Sequence, residues 1–223
     1  AKIRLNPGNI RDREQVRKVI AAADDAGAAI RVGVNEGSIV SRGGGPERAA
    51  ELKRPLVELM VEKLADYVAI FQAEGFDRLV LSAKSHDAYT CVVVNRAIAQ
   101  RWDYPLHLGL THAGTARTGV LRSAAALGAL LAEGIGDTIR ISYAGDPIEE
   151  VRDALELLAS LRLGERRGVN LIACPTCGRV QMDIAPIVER VRQELSDVTE
   201  PVTVAIMGCI VNGPGEADSA DVA

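Results

Sequence analysis

RLVLSAKSHDAYTCVVVNRAIAQRWDYPLHLGLTHAG, residues 78–114, holds two strand-like runs on either side of a helix-like one. Arg78–Ser82 and Leu106–Thr111 are short and largely apolar, whereas His86–Trp102 spaces its apolar residues three and four apart. A strand, a crossover helix and a second strand make a βαβ unit, whose two strands lie parallel. The same unit recurs on both sides. Upstream, strands are expected at Lys2–Leu5 and Ala29–Val34, with helices at Asp12–Ala26 and Glu47–Glu74, the latter long enough to be two. Downstream, helix Thr115–Glu133, strand Thr138–Tyr143 and helix Ile148–Leu161 bring the total to five βα units. Parallel units of this kind build either an open doubly wound sheet or a (β/α)8 barrel, which spends about 30 residues per unit and would need three more. Periodicity alone leaves both open.

After Leu163 the pattern breaks. Gly164-Glu165-Arg166-Arg167-Gly168 is charged and flanked by glycine, as a linker is, so the expected domains are 1–163 and 164–223. The second reads as strand Asn170–Ala173, a turn at Cys174–Gly178, helix Asp183–Leu195 and strand Val202–Met207. Gly43-Gly44-Gly45 reads as a flexible loop, because no Lys-Ser/Thr follows it to make a phosphate cradle.

Composition agrees with α/β. Of 223 residues 48% are hydrophobic and only 3% aromatic, which suits parallel strands buried on both faces. A net charge of −4 gives no global attraction to nucleic acid or to an anionic membrane surface. The longest apolar stretches, such as Ser123–Ala132, fall short of the roughly 20 residues that span a bilayer. The expected address is therefore cytoplasmic, with no nucleic-acid or membrane partner. In that reducing compartment four cysteines point to metal or redox chemistry before disulfides. The chain opens on Lys-Ile-Arg-Leu without a methionine and stops soon after the glycines at 213 and 215, so both ends are expected to be cut.

Cys174 and Cys177 follow one strand and Cys209 follows another, so strand ends can bring three thiols together. Glu216 lies beyond Asn212-Gly213-Pro214-Gly215, a segment able to fold back. Zinc, an iron–sulfur cluster and a redox thiol pair all remain open. Zinc usually closes with four Cys or His ligands, yet His86, His107 and His112 all lie in the first domain. Three thiolates and one oxygen ligand suit a cluster with a labile iron, which a substrate oxygen could reach. Cys91, in an apolar helix, reads as core.

In a parallel sheet ligands bind beyond the carboxyl ends of the strands. Lys2, Arg4 and Asn6 share one face of the first strand by its period of two, and Arg31, Gly33 and Asn35 share one face of the second. The third strand leads into Lys84, and the fifth carries Arg140 and Ser142. Buried cations must be paired, so carboxylates from absent strands, salt bridges at the rim or an anion such as a diphosphate is expected, with arginine forks matching phosphate oxygens. His112, after the fourth strand, is either a proton donor or a plain loop histidine.

Six segments together resemble 4-hydroxy-3-methylbut-2-enyl diphosphate synthases, over nearly the whole chain. They are Ile-Arg-Leu-Asn-Pro-Gly-Asn (3–9), Arg-Val-Gly-Val-Asn (31–35), His-Leu-Gly-Leu-Thr (107–111), Glu-Gly-Ile-Gly-Asp-Thr-Ile-Arg-Ile-Ser (133–142), Cys-Pro-Thr-Cys-Gly-Arg (174–179) and Gly-Cys-Ile-Val-Asn-Gly-Pro-Gly-Glu-Ala (208–217). The resemblance implies part of a TIM-type (β/α)8 barrel followed by a smaller α/β domain holding a [4Fe-4S] cluster. By it, Cys174, Cys177, Cys209 and Glu216 are the cluster ligands, and Arg4, Arg31, Asn35, Lys84, Arg140 and Ser142 hold a cyclic diphosphate. It implies reductive opening of 2-C-methyl-D-erythritol 2,4-cyclodiphosphate with electrons from ferredoxin or flavodoxin, in a homodimer. Glu216 would yield its iron to the substrate's C3 oxygen. The family usually has glutamate where this chain has His112, which alters the group expected to move the proton. Further strands are expected before residue 1 and more chain after 223, so these residues alone are expected to be inactive. Two rival readings are a zinc-stabilised barrel lyase or transferase acting on a phosphorylated substrate, and a cluster module that only passes electrons.

Overall fold

The protein is described by a computed structural model covering residues 1–5, 12–39, 51, 53–175, 177–211 and 213–223, with the backbone alone at Ser38 and Glu216. It divides into two units, Ala1–Leu161 and Arg162–Ala223.

In the first unit, β1 (Lys2–Leu5), β2 (Ala29–Asn35) and β3 (Leu79–Lys84) form one parallel sheet in the order β1-β2-β3, and β4 (His107–Gly109) pairs parallel with β5 (Thr138–Arg140). Leu81 on β3 bridges Leu106, and the Leu81 amide donates to the Pro105 carbonyl at 2.8 Å, which joins the two pieces. The strands therefore run β1-β2-β3-β4-β5, in chain order and all parallel. That order decides between the two architectures. A doubly wound sheet reverses its strand order partway and puts helices on both faces. Here every crossover steps the same way, and handedness then places every helix on one face, as in a barrel. Among the described residues the five strands form an open arc.

The helical face is the core. Ile30, Val32 and Val34 of β2, Leu79, Leu81 and Ala83 of β3 and Leu108 of β4 are buried. They pack in one cluster with residues of α1 (Arg13–Asp25), α3 (Leu56–Ala73), α4 (Ala88–Arg101) and α5 (Ala116–Ala132). A short α2 (Glu36–Ile39) leaves β2, and α6 (Pro147–Ser160) follows β5.

Capping sets several boundaries differently from the periodicity. Asp87 accepts from the Thr90 amide at 2.7 Å, so α4 opens at Ala88 rather than His86. Asp146 caps α6 in the same way, with Pro147 at its first turn. Of the stretch expected to be helical over Glu47–Glu74, long enough to be two helices, α3 covers Leu56–Ala73, with Pro55, which has no amide hydrogen for an interior turn, just before it. Glu51 is helical as well, and positions 47–50 and 52 lie outside the described residues, as do Asn6 and Gly43–Gly45. Strand β4 ends at Gly109, two residues short of the apolar run, and Thr111 then donates its amide to the Ser85 carbonyl at 3.1 Å.

In the second unit β6 (Val169–Ala173) and β7 (Val202–Ile206) pair parallel through the crossover helix α7 (Ile184–Glu194). Val222 bridges Val204 on β7. Ile184 and Ala205 are buried there. Residues Gly213–Ala217 form a one-turn helix, α8, where a glycine–proline turn was expected; the Gly213 amide donates to the Cys209 carbonyl at 3.2 Å. No described helix is long and apolar enough to cross a membrane.

Candidate functional site

The sheet face opposite the helices is polar and cationic. Alternation along each strand puts Lys2 and Arg4 of β1, Arg31, Gly33 and Asn35 of β2, Ser82 and Lys84 of β3, His107 and Gly109 of β4 and Thr138 and Arg140 of β5 on that face. Register sets them side by side: Arg4 opposite Arg31, Asn35 opposite Lys84, His107 opposite Thr138 and Gly109 opposite Arg140. Arg140 donates to the Ser142 hydroxyl at 2.7 Å just past the strand. A Cβ on Gly109 would stand 2.7 Å from the Arg140 carbonyl and 3.4 Å from Lys84 Nζ, so only glycine lets these groups close up.

Among the described residues, none of Lys2, Arg4, Arg31, Lys84 or Arg140 has a carboxylate within ion-pair distance. The consequences are electrostatic. Lys84 is only 8% exposed; burial, then Arg140, Arg31 and Arg4, push its ammonium down to about 8. Burial, with Arg4 and Arg140, also lowers Arg31. A face of like charges with no counterion among the described residues is suited to receive an anion.

Three residues to which the sequence assigned no role lie at or beside this face. Buried His107 lies with Nε2 3.3 Å from Lys84 Nζ and Nδ1 2.9 Å from Thr138 Oγ1. Burial, then Lys84, Arg31, Lys2 and Arg140, drive it down to about 3, so the ring is neutral. A lysine ammonium can only donate, so Nε2 accepts from it and Nδ1–H donates to Thr138. Ser82 donates to the His107 carbonyl at 2.8 Å. The third is Glu36, at the carboxyl end of β2. Its Oε2 accepts from Ser85 Oγ at 2.5 Å, His86 Nδ1 at 2.9 Å and the His86 amide at 3.3 Å. Burial alone would raise this carboxyl, but the Ser85 hydroxyl and the His86 amide and ring hold it below the usual range. Only the tertiary pairing reveals these contacts. The one hint in the sequence is that His107 and Gly109 share a face.

His112 sits on the loop after β4, exposed, with φ at +53°, in the left-handed region that disfavours a side chain. No hydrogen bond orients its ring among the described residues, in contrast to His86 and His107. Cys91 is buried beneath the sheet, its thiol pushed up to about 11 by burial, as a core residue would be.

In the second unit, Cys174, Cys177 and Cys209 line one cavity of about 530 Å³, with Ile172, Arg179 and Met207. Backbone bonds fix the strand ends that carry them: the Cys174 amide donates to Ile206 O at 2.9 Å, and the Gln181 amide to Gly208 O at 3.0 Å. Gly208 is forced, since a Cβ there would meet Val180 at 2.6 Å and Ile184 at 2.8 Å. The thiols line the cavity without converging on one point; among the described residues no three Cys, His, Asp or Glu form a metal site. Cys174 Sγ donates to the Pro175 carbonyl at 3.4 Å, and Cys177 Sγ accepts from the Arg179 amide at 3.5 Å. Glu216 lies on α8, the turn that follows Cys209.

Residues 1–155 match the GcpE TIM-barrel domain, and residues 170–223 match the GcpE protein C-terminal domain. The chain belongs to the GcpE family. Its curated relatives include the 4-hydroxy-3-methylbut-2-en-1-yl diphosphate synthase (flavodoxin) of Geobacter sulfurreducens, 46% identical over 99% of this chain and 61% of that protein. Synthases of the same name from Alteromonas mediterranea and Symbiobacterium thermophilum are 44% and 45% identical over 99% and 100% of the chain, and 58% of each protein. This GcpE chain thus spans about three fifths of those relatives' length. The family match identifies the parallel arc as part of a TIM barrel.

Proposed function

We propose that this chain supplies the diphosphate-binding arc and the cysteine domain of a 4-hydroxy-3-methylbut-2-en-1-yl diphosphate synthase. The reaction converts 2-C-methyl-D-erythritol 2,4-cyclodiphosphate to 4-hydroxy-3-methylbut-2-enyl diphosphate. One ring C–O bond and the bond to the C3 hydroxyl break and a C=C bond forms; two electrons and one proton are consumed and water leaves. Reduced flavodoxin, named in the relatives, or a ferredoxin supplies the electrons. The observation that carries this reading is a sheet face whose cations have no carboxylate within ion-pair distance among the described residues, in a chain that also gathers three cysteines at one cavity.

Arg4, Arg31, Lys84 and Arg140 bind the diphosphate, with Asn35 and Ser142 on its neighbouring oxygens. Fixed donors aimed at a charged leaving group cost no reorganisation during the reaction. His112, at the same end of the strands, supplies an imidazole that can pass on the proton that departs with the hydroxyl.

The donor set at the cavity fits a [4Fe-4S] cluster: three thiols from two strand ends, with Glu216 on the following turn as an oxygen ligand. Bound there, the cluster would supply single electrons and an exchangeable iron site. Cys174, Cys177 and Cys209 would hold it firmly and Glu216 weakly. Zinc with a lyase or transferase activity is the less favoured reading, since it leaves the flavodoxin in the relatives' name unexplained. The family resemblance also supports a homodimer as the working assembly and a full-length chain as the active one.

The test is turnover by the full-length protein with the cyclic diphosphate and reduced flavodoxin. Formation of the hydroxylated allylic diphosphate is expected. Unchanged substrate, with an intact cluster and reduced carrier, would contradict the assignment.

A further inference from the structure

Lys84 is the most enclosed cation of the sheet face, and the described residues around it come from four strands and one helix. Lys2 and Arg4 of β1, Arg31 of β2 and Arg140 of β5 share its face, His107 of β4 touches it, and Cys91 of α4 lies behind. All the formal charges among these are positive. The single polar atom within reach of Nζ among the described residues is His107 Nε2, an uncharged acceptor. A carboxylate in that place would neutralise the lysine and compete with any incoming anion. A neutral imidazole fixes the direction of Nζ and leaves its charge unspent. Thr138 completes the arrangement, because by taking the Nδ1–H it leaves the lone pair on Nε2 facing the lysine.

We propose that His107 is a positioning residue that holds Lys84 as an unneutralised donor, and that anion binding at this face is coupled to uptake of a proton by Lys84. This rests on the diphosphate reading above and adds to it a residue and a proton stoichiometry. The physical basis is linkage. Burial and neighbouring arginines leave Lys84 partly deprotonated near pH 8. An arriving diphosphate reverses the sign of its surroundings and favours the charged form, so binding must draw protons from solution. Affinity then falls as pH rises through and above 8, approaching tenfold per pH unit where free Lys84 is largely neutral.

The experiment is calorimetric titration of the full-length protein with the cyclic diphosphate, without reductant. It is run at pH 8 in two non-phosphate buffers of different ionisation enthalpy. Each phosphoryl group of this ligand carries a single strongly acidic proton, so the ligand does not titrate there. About half a proton taken up per ligand is expected. Lys84→Arg should still bind but take up none, since a guanidinium stays charged. His107→Leu should weaken binding about tenfold, and His107→Gln, which keeps an acceptor, should recover most of that loss. Binding with no proton uptake, uptake unchanged in Lys84→Arg, or His107→Leu binding like the parent would each overturn the proposal while leaving the diphosphate site standing. Absence of binding by the parent protein would defeat the diphosphate reading and this proposal together. Should His107→Leu fail to fold, the Lys84→Arg comparison decides the coupling by itself.

Discussion

The cationic face and the cysteine cavity are built on opposite plans. On the sheet, functional residues alternate with core residues along the same strands, so burying Ile30, Val32, Leu81 and Leu108 also fixes Arg31, Lys84 and His107 opposite them. Position there is a by-product of core packing, and strand residues cannot drift without opening the core. The cysteines instead stand on turns just past β6 and β7, half-buried or exposed, and each described hydrogen bond of the Cys174 and Cys177 thiols is a weak one to nearby backbone. The sheet face holds its cations in fixed positions. On the proposed reading, the cavity's thiols would be drawn together by the bound group itself, the usual way in which metal binding contributes to local folding. The difference teaches where the two sites should be fragile.

Cys177→Ser attacks the cavity and should produce the largest effect. Loss of cluster and a fall in turnover of at least about a thousandfold are expected, with circular dichroism of the barrel unit unchanged; retention of more than a tenth of the activity would show that the thiols are not ligands. Gly109→Ala attacks the other plan. Its Cβ would meet the Arg140 carbonyl at 2.7 Å, so β4 and β5 must part; a loss of about 2 kcal/mol in denaturant unfolding is expected, together with weaker diphosphate binding. A neutral result would mean that the face is less tightly built than the register suggests.

That contrast also explains what could be read from residues alone. Period-two alternation reported which cations share a face, because it is set by the strand's own geometry. The choice between open sheet and barrel was not legible from periodicity, since it depends on strand order, which the Leu81–Leu106 bridge settles. Strand lengths were overread where apolar residues continue past the last pairing, as at Leu110 and Ile141, both buried but off the ladder. The contacts of His107 with Lys84 and Thr138, of Ser82 with His107 and of Glu36 with Ser85 and His86 are not legible in the sequence, because these partners are remote along the chain and become neighbours only in the folded sheet. The cysteine spacing pointed to strand ends, and the cavity lies there. The distances that would define ligation are not encoded by spacing.

Two smaller effects sharpen the comparison. His112→Gln should lower turnover about tenfold without changing the Michaelis constant if the ring moves a proton; no change would assign that step to another group. Glu36→Gln should cost about 1 kcal/mol, from three weakened hydrogen bonds. The pH sign follows from its depressed carboxyl. The stabilisation is present above the unfolded-state pKa and is lost as pH falls through the lower folded value, so parent and variant should converge in strongly acidic solution. A gap that instead widens on acidification would contradict the Glu36 contacts.

The most direct test of the whole account is metal analysis of the full-length protein purified without oxygen, alongside its visible spectrum. The account predicts a brown protein with close to four irons and four sulfides per chain, as a [4Fe-4S] cluster requires. A colourless protein with one tightly held zinc would contradict it and leave the cationic face serving a different, non-reductive chemistry.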